Sequence, residues 1–541
     1  MDFTAPQILS RGQGVVPYRR PRVLLVAAIS AIASFTAPGL SPVAGAFGCE
    51  GYEQTRIAYH GTSSEKLSSQ SSTPQGVLAT LFGSAGSSVL SAEVGSADLV
   101  PASASQRDSG ETSSSFAPPW LTDAPGKLPV LAGHTQAIGL VTGPGSPGRT
   151  DTRFGVGGTD LGIVLDDGRG GYYLIFGDTT NCGGLAQWRS NVALHSNDTV
   201  YADGVYVDSA LTANGWASQG FATEFIPSLK LDGKERTTIP TGAIRIGDTY
   251  YVDYMSVREW GTPGNWDTNY AATVKSTDMT HWTVVDSSVR RNAITAVSHP
   301  GLGWFDAYRP GDNRTQMTAF VLGDGRGESE DGYVYRFSTP AGRSGAAYLS
   351  RIPADDFPDE QRFSWWDGQR WLEPDEDHDV AVTPALAAPV LPAPVSEVSV
   401  SFNEYLGQWI ALYNGLQIAT ADRLEGPWSR PTTVISAATI PDLYGTYVLP
   451  GSDGKYLYYV ATTWSNYNAM VMRTDLSQLR LNSPAGSRSL PPAVTPLPHD
   501  TDGDGVVVTG FYDYRTGDTP PFIPVEEDAA PQAIRPEEEL R

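Results

Sequence analysis

The chain has little cysteine, histidine or charge, and each shortage removes a class of protein. Two cysteines, Cys49 and Cys182, in 541 residues are too few for a disulfide framework. The seven histidines are scattered without ligand spacing, and neither H-E-x-x-H nor G-x-S-x-G occurs, which argues against zinc and serine-hydrolase chemistry. The glycines at 155, 157 and 158 lack the spacing and following helix of a dinucleotide site. Charged residues make up only 18%, too few for a helical bundle. Basic residues are outnumbered, 37 against 60 acidic, for a net charge of −23. A surface of that sign repels phosphate backbones, so nucleic acid is excluded as a partner. The longest apolar run, residues 23–37, falls short of the roughly 20 residues that span a bilayer.

What is plentiful is turn formers and rings: 57 glycines, 40 prolines, 13 Trp, 25 Tyr and 17 Phe. Such a composition favours short strands joined by turns, with large rigid side chains for a core or a sugar site. Arg19, Arg20 and Arg22 precede the apolar run, and Ala44-Gly45-Ala46 follows it. That order is the pattern of a secretory signal peptide over residues 1–46, with an uncleaved anchor as the alternative. A secreted or envelope-associated protein is expected, with no membrane insertion after processing. Residues 47–117 are rich in Ser, Gly and Ala without periodicity and read as a disordered, low-complexity spacer. Residues 118–485 carry the folded domain, and the Pro-rich, acidic residues 486–541 read as a tail. Within that tail Asp500, Asp502 and Asp504 imitate the start of a calcium loop. Phe511 stands where the bidentate Glu belongs, so no metal or cofactor is expected, calcium being the one alternative.

Between about 125 and 480, strand-like runs recur at 172–177, 249–257, 316–322, 398–402, 408–413 and 455–462. Turn signals precede several of them, as at Asp166-Asp167-Gly168, Gly247-Asp248 and Asp453-Gly454. An all-β sandwich, barrel or propeller follows. Two segments, Ser276 to Trp282 and Ala421 to Trp428, look like copies of one unit, each with an Asp shortly before a Trp. Repeated units suit propeller blades, five or six of them over this length.

The residues left to carry chemistry are carboxylates. Asp160 lies at the start of one strand-like run and Asp178 at the end of the next. A hairpin would return both to the same end of the sheet. Two converging acids are what glycosidic hydrolysis requires, one to protonate the leaving oxygen and one to activate water or attack the sugar. Each Asp would otherwise cap a turn. Trp188 to Asn191, including Arg189 and Asn191, offers a ring, a cation and an amide; Trp260, Trp266 and Asn269 form a second such group. Glu224 and Glu397 are further acids near strand starts. Arg189, Asn191, Trp260, Asn269 and Glu397 are the candidate sugar contacts.

The motifs GTDLGIVLDDGRGGYYLIFGDT, WRSNVALHSND, IPTGAIRIGDTYYVDYMSVREWG, STPAGRSGAAYLSRI and EGPWS resemble the endo-D-arabinanase glycoside hydrolases, a family first described as a domain of unknown function and known from secreted actinobacterial proteins. The resemblance runs from about 130 to 475. It implies a five-bladed β-propeller with the site at its axis, and hydrolysis of internal α-D-arabinofuranosyl bonds in the D-arabinan of arabinogalactan and lipoarabinomannan. It also implies that Asp160 and Asp178 are the catalytic pair. Ser338 stands where relatives often have Gly. A monomer acting on a polysaccharide is the expectation. The competing readings are a non-catalytic carbohydrate-binding propeller, a glycosidase acting on another pentose polymer, and an inert surface protein.

Overall fold

The computed structural model describes residues 127–181, 184–262, 264–293, 308–323, 332–374, 382–464, 467–484 and 500–513. The expectations for the signal peptide, the spacer, both cysteines and most of the tail lie outside the described residues. Among the described residues, no helix is long and apolar enough to cross a membrane.

Strands of Val, Ile, Tyr and Thr, broken by Gly and Asp turns, assemble into five antiparallel blades. Blade one comprises Leu161–Asp166, Tyr172–Phe176, Val192–Ser196, Ser209–Thr212 and Gly215–Ala217. Blade two comprises Thr237–Ile246, Thr249–Trp260, Trp266–Ser276 and Thr283–Val284, with Arg290–Arg291 beside the third strand. Blade three begins Met317–Leu322, Tyr333–Thr339, Gly345–Pro353, and blade four Val398–Asn403, Gln408–Tyr413, Gln417–Ala421. Blade five takes Leu443–Val448, Tyr456–Thr463 and Asn468–Asp475 from one end of the fold and Thr135–Leu140 from the other. The first strands of the five blades touch in cyclic order, the fifth returning to the first. This is a closed five-bladed β-propeller.

The two Trp-bearing segments hold equivalent places. Each follows the third strand of its blade, Trp266–Ser276 or Gln417–Ala421, and leads into the short fourth, Thr283–Val284 or Thr432–Thr433. The region read as a tail contributes a strand, Val506–Asp513, which pairs with Lys127–Gly133. Its Val506, Val507 and Val508 run was outweighed in the sequence by the acidic and Pro-rich residues around it. The three aspartates before that strand gather their carboxylates within 4.8 Å. Asp500 closes the turn by accepting from the amides of Gly503 and Gly505, while Asp504 accepts from those of Ser436 and Val506 and Asp502 from the hydroxyls of Ser436 and Thr439.

One apolar cluster fills each of the five blade interfaces. The interface of blades two and three adds a buried ionic network. Arg290 is fully buried and bonds Asp253 and Glu360, while Arg336 and Arg309 also reach Glu360. Burial pushes the Glu360 carboxyl up, but the three guanidinium groups outweigh it and hold it at about 2. Removing the carboxylate would leave three cations facing one another in a medium that solvates them poorly. Glu360→Ala is therefore expected to cost about 3–5 kcal/mol in guanidinium unfolding. Arg245→Ala, which breaks the exposed pair with Asp166, should cost below about 1 kcal/mol.

Candidate active site

The hairpin of blade one brings the two aspartates together. Leu161 pairs with Phe176, so Asp160 and Asp178 flank the same end of the two strands. A register shift between Leu161 and Ile163, with left-handed backbone at Leu161 (φ 70°) and Gly162 (φ 105°), turns the start of the strand. A Cβ at Gly162 would come within 2.8 Å of Val460, so only glycine fits there. Gly177 is equally constrained by contact, since a Cβ would meet Oδ1 of Asp160 at 2.5 Å.

Both carboxyl groups line a cavity of about 510 Å3. Asp178 is fully buried, and its Oδ1 accepts from the Thr237 hydroxyl at 2.6 Å and the Trp188 indole at 2.8 Å. Asp160 accepts from the Tyr444 hydroxyl at 3.0 Å. Among the described residues, Oδ1 of Asp160 and Oδ2 of Asp178 are buried without a hydrogen-bond partner. Such orphaned oxygens are costly for a structural residue and are what a reacting group needs. Burial pushes Asp178 up to about 7, against the pull of Thr237, Trp188 and Lys230. Burial and then the Asp178 charge push Asp160 well above the carboxylate range, against the Tyr444 bond.

Further residues from distant blades complete the cavity. Glu397, just before the first strand of blade four, lines it beside Arg343, Trp260, Trp266, Asp442 and Trp464. Burial favours the neutral form of Glu397, but the charge of Arg343 outweighs it and keeps the carboxyl below its usual range. Trp260 and Trp266 stand at facing ends of the long hairpin of blade two, ring centroids 5.6 Å apart.

Of the sugar contacts expected from sequence, the structure brings Trp260 and Glu397 to the cavity and places the other three elsewhere. Arg189 is buried against Phe221 and donates to the carbonyls of Gly155 and Ala222. Asn191 bridges the amides of Phe225 and Ile226 to the carbonyls of Ile226 and Thr238. Asn269 donates to the Lys234 carbonyl and the Ser256 hydroxyl. All three satisfy buried polar groups in the scaffold, and none lines the cavity. Glu224 likewise holds the amides of Ser190 and Ser228 and the Lys230 ammonium. Arg343 and Tyr444 were missed because they lie in blades three and five, with no local signal linking them to Asp160.

A five-bladed propeller with a buried and a half-buried aspartate at its axial cavity, each with one oxygen unpartnered among the described residues, is the class of molecule that fold and site define. Residues 145–473 match the family described as a domain of unknown function, DUF4185, and the chain belongs to that family. Notoamide biosynthesis cluster protein J' of Aspergillus versicolor is 26% identical over 344 residues, covering 58% of this chain and 83% of that protein. Among solved structures, the native arabinanase of Bacillus subtilis aligns over 58% of this chain and 95% of its own, with a TM-score of 0.32 and 10% identity. The catalytic domain of Coprinopsis cinerea α-L-arabinofuranosidase aligns over 64% and 98%, with a TM-score of 0.34 and 12% identity.

The raised Asp178 makes a testable demand on stability. An unfolded carboxyl ionises near 3.8 and the folded one near 7, so folding is progressively disfavoured as pH climbs between those values. Asp178→Asn is expected to unfold at higher temperature than the parent near pH 8, by a gain of up to about 4 kcal/mol. Near pH 4 the gain should vanish. Equal melting shifts at both pH values would mean that Asp178 is not held against ionisation.

Proposed function

We propose that the protein is a secreted glycoside hydrolase that cleaves internal α-D-arabinofuranosyl linkages in cell-wall D-arabinan, acting outside the cell or at its envelope as a monomer without a cofactor. The observation that carries hydrolysis is the pair of aspartates, each with one buried oxygen that has no partner among the described residues, on an aromatic-lined cavity. The motif resemblance over residues 130–475 supports D-arabinan as the polymer. The acidic lining favours a neutral substrate and suits a reaction in which positive charge develops on the sugar.

The hydrogen bonds divide the roles. Asp178 has two donors on one oxygen and Lys230 nearby, all of which favour its anion. Asp160 has the Tyr444 hydroxyl as its donor and the Asp178 charge beside it. The proton therefore resides on Asp160, the general acid that protonates the glycosidic oxygen. Ionised Asp178 activates water or attacks the anomeric carbon through Oδ2. Ionised Glu397 lies on the same cavity, where it would stabilise the oxocarbenium-like sugar.

The test is to incubate the protein with purified D-arabinan and, separately, plant L-arabinan, and to follow oligosaccharide release by chromatography. Products from D-arabinan alone, lost in Asp160→Asn and Asp178→Asn, are expected. Retention of a polymer without products would make the protein a carbohydrate-binding propeller, and products from L-arabinan alone would move it to another pentose. The pH profile of kcat should rise as Asp178 ionises near 7 and fall when Asp160 loses its proton. Trp188→Phe removes a donor to the Asp178 anion, so its rising limb should shift to higher pH.

A further inference from the structure

We infer that Arg343 and Glu397 form a two-residue clamp that reads the hydroxyl groups of a neutral sugar in the cavity. The inference rests on the carbohydrate reading above and adds Arg343 as the residue that sets specificity. Arg343 lies in the loop between Tyr333–Thr339 and Gly345–Pro353 of blade three. Its amide donates to the Gly264 carbonyl at the tip of the blade-two hairpin. Its guanidinium carbon sits 4.5 Å from the Tyr444 ring centroid and 5.8 Å from that of Trp266. Nη2 and Nε reach the two carboxylate oxygens of Glu397 at 2.9 and 3.4 Å. Three other blades thus hold this one side chain in place.

The comparison with Arg290 shows what is unusual. Arg290 is wholly buried, and Nε, Nη1 and Nη2 all donate to protein acceptors. The Arg343 side chain is 36% exposed, and among the described residues Nη1 donates to no protein group. A guanidinium carries five N–H donors in a rigid fork, of which Glu397 takes two. The remaining donors lie in a cavity beside the Glu397 carboxylate, which the Ser396 hydroxyl and its own amide also hold in place. Fixed donors next to fixed acceptors complement neighbouring hydroxyl groups, each of which needs one of both. A sugar lacking a hydroxyl would leave these groups desolvated and unpaired, which is how polar sites reject such analogues strongly. The charge of Arg343 is already matched by Glu397, while Asp160, Asp178 and Asp442 share the cavity. Anionic sugars are therefore repelled rather than captured.

The test uses the full chain, its Arg343→Lys and Glu397→Gln variants and the double variant, with D-arabinan, L-arabinan and polygalacturonate as probes. Turnover gives KM and kcat, and affinity electrophoresis in an Asp160→Asn background gives binding alone. Each single variant should raise KM, or weaken retention, at least tenfold for the neutral polymer that the parent prefers. The double variant should lose little more than the worse single one, because the pair acts as a unit. Polygalacturonate should not retard the parent. Thermal melting separates a folding defect, and if Arg343→Lys does not fold, retention by Glu397→Gln in the Asp160→Asn background decides the question, since its kcat falls with the lost charge in any case. Parent activity with KM unchanged in the variants overturns the clamp and leaves the hydrolase standing. Retention without cleavage, lost in the variants, overturns the hydrolase and leaves the clamp standing. No retention of any neutral polymer overturns both.

Discussion

The pairing of Thr135–Leu140 with Asn468–Asp475 is the interaction on which the rest of the structure depends. It joins the two ends of the ring, and the chemical groups gather at the seam it creates. Next to it the Thr159 amide donates to the Tyr467 carbonyl at 2.7 Å, Thr462 donates to the Leu161 carbonyl, and Asn468 to that of Gly157. Tyr444 and Tyr467 of the blade-five side then reach Asp160 and the Asp178 backbone. A blade-one hairpin on its own would hold the two aspartates without the phenols that enclose them. Ring closure and assembly of the site are thus one event.

The two buried acid clusters show how surroundings decide what a carboxylate does. Glu360 and Asp178 are equally removed from water. Three guanidinium groups fix Glu360 as an anion, and it serves as mortar between blades two and three. Asp178 has a hydroxyl, an indole and only a more distant ammonium in support, so it titrates in the range where proton transfer at neutral pH is efficient. The scaffold carries that second arrangement at a cost in stability and offsets it with apolar packing at all five interfaces.

Much of this was legible in the sequence wherever cause and effect are local. Tyr172–Phe176, Gln408–Tyr413 and Tyr456–Thr463 announce themselves by composition and by the turns before them. Asp160 and Asp178 could be paired because a short hairpin joins them. What the sequence did not place shares a different cause. Arg189, Asn191 and Asn269 are polar residues near tryptophans, and spacing does not reveal whether such a group faces a cavity or a backbone carbonyl. Arg343 and Tyr444 become neighbours of Asp160 only after the ring has closed over long sequence separations. The strand Val506–Asp513 was hidden by its acidic flanks, and the two Trp-bearing units were too few to count the blades.

The closing strand also has a consequence in time. Thr135–Leu140 leaves the ribosome long before its partner, and at about 5–20 residues per second the wait lasts on the order of tens of seconds. Throughout that interval its ladder groups lack their native partner strand, and the apolar side chains Ala137 and Leu140, which end up in the core, lack the blade-five residues they pack against. The Pro- and Gly-rich stretch that follows, with helix Thr150–Phe154, separates this strand from the first hairpin and leaves it outside blade one. The last blade is in effect a lock whose key is made first. Biogenesis therefore has to keep an unpaired β-edge from finding another chain before its own is complete.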